Sequence, residues 1–139
     1  MDRQRVSSGS PWEPVIGFSR ALRVGHRVLV SGTAPVFADG SCPEDVAVQA
    51  RRCMEIVVHA LAQAGATTAD VVRTRTYLRD AGDAEAVGQV HGETFGEVRP
   101  ASTMVVVAGL LDPRWKVEIE VEAVIAEAAA DAAPEEAST

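Results

Sequence analysis

Two short stretches place chemically active side chains at every second position. From Val117 to Ala123 the chain reads VEIEVEA, so a strand would put Glu118, Glu120 and Glu122 on one face and Val117, Ile119, Val121 and Ala123 on the other. From Val71 to Leu78 it reads VVRTRTYL, with Arg73, Arg75 and Tyr77 on one face. Val72, Thr74, Thr76 and Leu78 share the other, which is apolar enough to pack against helices. If both apolar faces turn the same way in one sheet, three carboxylates share a surface with two guanidiniums and a phenol. Such a surface can consist of solvent-exposed ion pairs worth about 0–1 kcal/mol each. It can equally line a polar cleft or a subunit interface, where a carboxylate could hold water or carry a proton.

Other side chains could add to that chemistry. His91 could serve as an acid or base near neutral pH, or be a partly exposed helix histidine. Arg75 could bind an anionic ligand or pair with Glu118 or Glu120, and Arg20, after Phe18-Ser19, could reach a cleft mouth. Arg114 and Trp115 fall in a loop before the last strand, Trp115 as a packing residue. Cys42 and Cys53 form no CxxC pair and have no histidine at ligand spacing, while His26 sits in a turn and His59 on a helix. No metal site is expected, and free thiols fit a cytoplasmic protein.

The elements that must position these residues follow from punctuation and period. Pro100–Ala126 reads as two strands joined by a Gly/Asp/Pro loop. Residues 20–24 and 27–31 flank Gly25-His26, which suits a type II′ hairpin turn. The hairpin leaves through Ser31-Gly32-Thr33-Ala34-Pro35, where a glycine permits close backbone approach. Pro43-Glu44-Asp45 opens a helix of roughly 20 residues, its apolar face carried by Val46, Ala50, Cys53, Val57, Ala60 or Leu61, and Ala64, with Gly65 as the stop. Asp83 caps a second helix ending near Gly96. Gly88 and Gly92 inside it cost about 1 kcal/mol each relative to Ala, a cost explained if that face lies close against the sheet or another subunit.

The 139 residues fit a single domain over 1–126, with 1–15 an N-terminal arm that is loose over Met1–Ser10 and docks near Trp12 and Pro14. Glu127–Thr139 is acidic and Ala-rich and is expected to be disordered. The core order is β-β-α-β-α-β-β over about residues 16–126, an α/β (α+β) arrangement with two helices on one face of a mixed sheet. Its other face needs solvent or another subunit. A formal net charge of −7 argues against a nucleic-acid partner. No apolar run is long enough to span a membrane and no signal-type start is present, so no membrane association is expected.

In chain order, the hairpin, the Ser31-Gly32 turn, the long helix, the run from Ala64 to Asp80 (AGATTADVVRTRTYLRD), a second helix closing on Phe95-Gly96, Arg99-Pro100-Ala101-Ser102 and the VEIE strand resemble the RidA family. That family is also called YjgF or reactive-intermediate deaminase, and formerly endoribonuclease L-PSP. The resemblance covers about Gly17 to Ala126 and implies a chorismate-mutase-like fold. It implies a homotrimer whose three sheets form a central barrel, with a small-molecule cleft at each subunit interface. It also implies hydrolysis of enamines or imines by a bound water, with no metal or cofactor.

Carried over residue by residue, the resemblance puts the water-holding glutamate at Glu120 and the backbone turn at Ser31 and Gly32. The family's carboxylate-gripping arginine reads Ser102, followed by Thr103; its tyrosine reads Phe18 and its asparagine Gly88. His91, one helical turn beyond Gly88, and Arg75 are further candidates for ligand contact. A charge-assisted hydrogen bond contributes about 1.5–3 kcal/mol. Losing the arginine should therefore weaken a carboxylate substrate by roughly 10- to 100-fold. The chain reads as a divergent RidA-like protein, either a C–N hydrolase of altered specificity or a non-catalytic trimer that binds a metabolite. An endoribonuclease or translation inhibitor, a label some family members carry, fits the acidic balance least.

Overall fold

The computed structural model of the chain describes residues 2–126. Eight main elements follow in order: β1 (Arg3–Val6), β2 (Ala21–Val24), β3 (Arg27–Thr33), α1 (Val46–Gln63), β4 (Val71–Leu78), α2 (Ala84–Phe95), β5 (Ala101–Val106) and β6 (Val117–Val124). The strands form one six-stranded sheet in the order β1-β2-β3-β6-β4-β5, with β4 and β5 parallel and every other pair antiparallel. This is the expected mixed α+β architecture, extended by one strand.

That extra strand corrects the expectation of a loose arm over Met1–Ser10. Arg3–Val6 pairs with β2, burying Val6 against Ala21. The arm is then pinned by Glu13, whose carboxylate accepts from Ser7 Oγ at 2.9 Å and Ser8 N at 3.0 Å. The expectation for Glu127–Thr139 lies outside the described residues.

The turn between β2 and β3 has φ +61° at Gly25 and no positive φ at His26, as a type II′ turn requires. Helix α1 is capped by Asp45, which accepts from Val48 N at 3.1 Å. Pro43 and Glu44 therefore precede the helix rather than forming its first turn. Its far end closes through Gly65 at φ +88°. Before α2, the Asp80 carboxylate accepts from Gly82 N at 2.8 Å to start a 3-10 turn over Ala81–Asp83. Asp83 is the α2 N-cap by position, but its side chain makes no capping hydrogen bond.

Both helices cover one face of the sheet. Val28, Val57, Leu61, Leu78, Val90, Phe95 and Ile119 are at most 1% exposed between those layers, and each large apolar side chain removed from water contributes about 1.5–3 kcal/mol. Two bulges interrupt the ladders. One extra residue in β3 lies between the pairs Val30↔Val121 and Thr33↔Ile119, at Ser31-Gly32. The other lies in β4 between Val71↔Ala123 and Arg73↔Glu122. It turns Val71 into the core at 3% exposure and Val72 outward at 46%, which corrects the expectation that Val72 packs with Thr74, Thr76 and Leu78.

The expected close approach of the Gly88/Gly92 face to the sheet is also not found. Both glycines are exposed, and a Cβ on either would meet nothing within 4 Å. At the far side of the sheet, β5 is an edge strand with Val105 and Val106 about half exposed. Among the described residues no helix is long and apolar enough to cross a membrane.

Candidate functional site

The face opposite the helices carries the charged rows in register. Arg73 lies opposite Glu122, Arg75 opposite Glu120 and Tyr77 opposite Glu118. Arg75 Nη1 lies 3.2 Å from Glu120 Oε2 and 3.7 Å from Glu122 Oε2. Arg73 Nε and Arg27 Nη2 add contacts to Glu122 at 3.4 and 3.3 Å. Tyr77 donates its phenol proton to Glu120 Oε1, and that bond, with burial, raises the Tyr77 pKa. Arg75 is thus committed to the carboxylates of its neighbouring strand. Glu120 has two partners within its own chain.

The Ser31-Gly32 bulge gathers a different set. Arg20 Nη2 donates to Ser31 O at 2.8 Å and to Gly32 O at 2.6 Å, while Ser31 Oγ donates to Ser19 O at 2.6 Å. Phe18, the residue before Ser19, is partly exposed at 37%. The carboxylate that stands here is Glu118: a Cβ added at Gly32 would overlap its Oε2. Burial pushes the Glu118 pKa up, Arg20 pulls it down and Glu120 adds to the rise, for a net increase. Arg20 is buried enough that desolvation lowers its pKa against the opposing pull of Glu13 and Glu118. Its Nε is buried with no hydrogen-bond partner among the described residues.

A third set lies on the helix side at the free edge. Register pairs Ser102 with Thr74, and Thr74 Oγ1 lies 2.9 Å from Ser102 Oγ and 2.8 Å from His91 Nε2. His91 packs on Phe95 with ring centroids 4.9 Å apart, and burial lowers its pKa. Gly88 lies one turn before His91 and faces open space. Thr103 lies opposite Arg75 on the other face of the sheet, so Ser102 and Thr103 serve different surfaces.

Within one chain, therefore, Ser31 and Gly32 meet the segment that follows Phe18, His91 and Ser102 meet through Thr74, and Arg75 meets Glu120, while Gly88 faces open space. Sequence reasoning passed over Glu118 and Thr74. A polar residue at an inward position of a half-buried strand was the signal for Thr74, whereas nothing short of the bulge distinguishes Glu118 from Glu120. A shallow groove of about 630 Å³ between the outer faces of α1 and α2, bordered by Arg51, Met54 and Val90, contains none of these residues.

A mixed six-stranded sheet with two helices on one face and polar clusters at its open face and edge defines a chorismate-mutase-like α+β protein. The family model described as Endoribonuclease L-PSP matches residues 9–125, and the chain belongs to that family, also called YjgF or RidA. It is 43% identical over 121 residues to an uncharacterized protein of Streptomyces coelicolor, covering 86% of this chain and 90% of the relative. It is 35% identical to the 3-aminoacrylate deaminase RutC of Acinetobacter baylyi, covering 82% and 90%. The crystal structure of a YjgF/YER057c/UK114 family member from Mycobacterium tuberculosis superposes with a TM-score of 0.82 at 44% identity, covering 89% of this chain and all of that one.

Proposed function

We propose that the protein is a RidA-like hydrolase of a small imine or enamine, working as a homotrimer in which Glu118 holds and activates the attacking water. The observation that carries this is the half-buried Glu118 carboxylate set against Gly32, with a raised pKa, while Glu120 is occupied by Arg75 and Tyr77. The water-holding role expected of Glu120 accordingly passes to its neighbour on the same face. A raised pKa makes the ionised carboxylate a stronger base. Glu118 takes a proton from water as its oxygen bonds to the imine carbon, and that proton passes to nitrogen. The hydroxyl proton of the resulting R₂C(OH)NH₂ then passes by way of the carboxylate to nitrogen as the C–N bond breaks and C=O forms, so that R₂C=NH and H₂O give R₂C=O and NH₃. The deaminase named among the relatives supports the reaction class.

Assembly as a trimer is supported by unfinished surfaces. The β5 edge exposes Val105 and Val106, and the segment before β2 exposes Trp12, Val15, Ile16 and Phe18. A second reading, a trimer that binds a metabolite without turnover, is favoured by one observation: Arg75 is already paired and Ser102 stands where the family grips a carboxylate. Ammonia release from a panel of imines and enamines separates the readings. Wild type should turn over at least one member, and Glu118→Gln should lower that rate by about 10²–10⁴, with Glu120→Gln milder. A larger loss in Glu120→Gln would overturn the assignment, and no turnover across the panel would leave the binding reading.

A further inference from the structure

Thr74 Oγ1 carries one proton and touches two partners, His91 Nε2 at 2.8 Å and Ser102 Oγ at 2.9 Å. The three groups grade from inside to outside: Thr74 is fully buried, His91 is half-buried and Ser102 is exposed on the β5 edge. With the Thr74 proton given to Ser102, His91 Nε2 must donate to Thr74. The Ser102 proton is then free to point outward from the exposed β5 edge. Burial lowers the His91 pKa. This cluster is therefore hydrogen-bonded, with its imidazole biased toward the neutral form.

We propose that His91, Thr74 and Ser102 form a hydrogen-bond relay whose outer hydroxyl donates to a neutral carbonyl oxygen of the ligand, such as an amide or lactam, and disfavours a free carboxylate. The inference rests on the reading that a small ligand enters the cleft, but not on any reaction there. A neutral acceptor matches a single hydroxyl donor without requiring a counter-charge. A carboxylate at the same point meets one neutral hydroxyl donor and, beside an imidazole that burial keeps neutral, no counter-charge. Thr74 is a positioning residue: it fixes the tautomer of His91 and the direction in which Ser102 donates.

Propionamide and propionate are matched probes, nearly equal in size and different in charge. Titrated into the full-length protein and followed by amide and imidazole ¹⁵N shifts, propionamide should bind saturably at the Ser102/His91 end, about fivefold or more tighter than propionate. Thr74→Val keeps the shape but removes the relay. It should cut propionamide affinity by about fivefold, the worth of roughly one neutral hydrogen bond, and release His91 from its fixed tautomer. Thr74→Ser should preserve both signals. If Thr74→Val does not fold, the edge-exposed Ser102→Ala should abolish the preference. Propionate binding as tightly as propionamide, an unchanged preference in both variants, or no saturable shift from either probe would overturn the relay. Because imine turnover is not measured, failure here is separable from failure of the hydrolase reading.

Discussion

Gly32 and Glu118 meet where the β3 bulge faces β6, and the carboxylate occupies the volume that a Cβ at position 32 would fill. The glycine has no positive φ to protect, so its function is room. Gly32→Ala should fold with a stability change under about 1 kcal/mol, because only the far end of a flexible side chain must yield. Glu118 should nevertheless be displaced, and its titration midpoint, read by carboxylate ¹³C shifts, should move back toward an ordinary glutamate.

Glu118 also gives stability a pH dependence whose sign is fixed. Its folded pKa is raised, so the folded state binds the proton more tightly than the unfolded chain. Its contribution is fully favourable below the unfolded value near 4.5 and is lost as pH rises through the folded pKa. Glu118→Gln should therefore melt slightly higher than wild type at neutral pH, and the gap should close toward the unfolded value near 4.5. A variant that melts lower at neutral pH would contradict this balance.

Tyr77 is the chain's single tyrosine, so alkaline absorbance titration reads it alone. Its pKa is raised chiefly by the hydrogen bond to Glu120. Glu120→Gln should lower the midpoint toward about 10, and Glu118→Gln should shift it less.

Ser102→Arg tests the departure at the β5 edge. The new guanidinium should raise activity toward imino acids by up to about 10- to 100-fold and reverse the propionamide preference. The gain should be partial, since Phe18 and Gly88 still lack the hydroxyl and amide of the family pattern. Steady-state kcat/KM for both proteins measures it.

Asp45→Ala should remove the α1 cap at a cost of about 0.5–2 kcal/mol. Thermal melting should record the loss, and propionamide binding at the distant β5 edge should be unaffected.

Alternation made the opposed rows legible in the sequence: Arg75 and Glu120 are register partners because a period of two placed both on the face away from the core. The hairpin at Gly25 and both helix ends at Gly65 and Gly96 were legible for similar local reasons. Bulges were not, since each inserts a residue without changing composition. The one at Ser31-Gly32 assigns Glu118 to the turn, and the one at Val72 turns an apolar side chain to solvent. Strand β1 was hidden because RQRV is polar on its exposed edge and buries only Val6. Thr74 was hidden because a buried threonine resembles packing until its partners are known.

The amide of Gln49 has a further consequence. It is fully buried on α1, donates to Pro43 O at 2.7 Å and Arg114 O at 3.0 Å, and accepts from Lys116 N at 2.8 Å. One side chain thereby rivets the entry to the first helix onto the approach to the last strand, joining segments some seventy positions apart in the chain. Those two corners should open together in native-state hydrogen exchange, as one cooperative unit with a common opening free energy. The strand that carries Glu118 then begins from an anchored post, and its position is set from the helical layer as well as from its sheet neighbours.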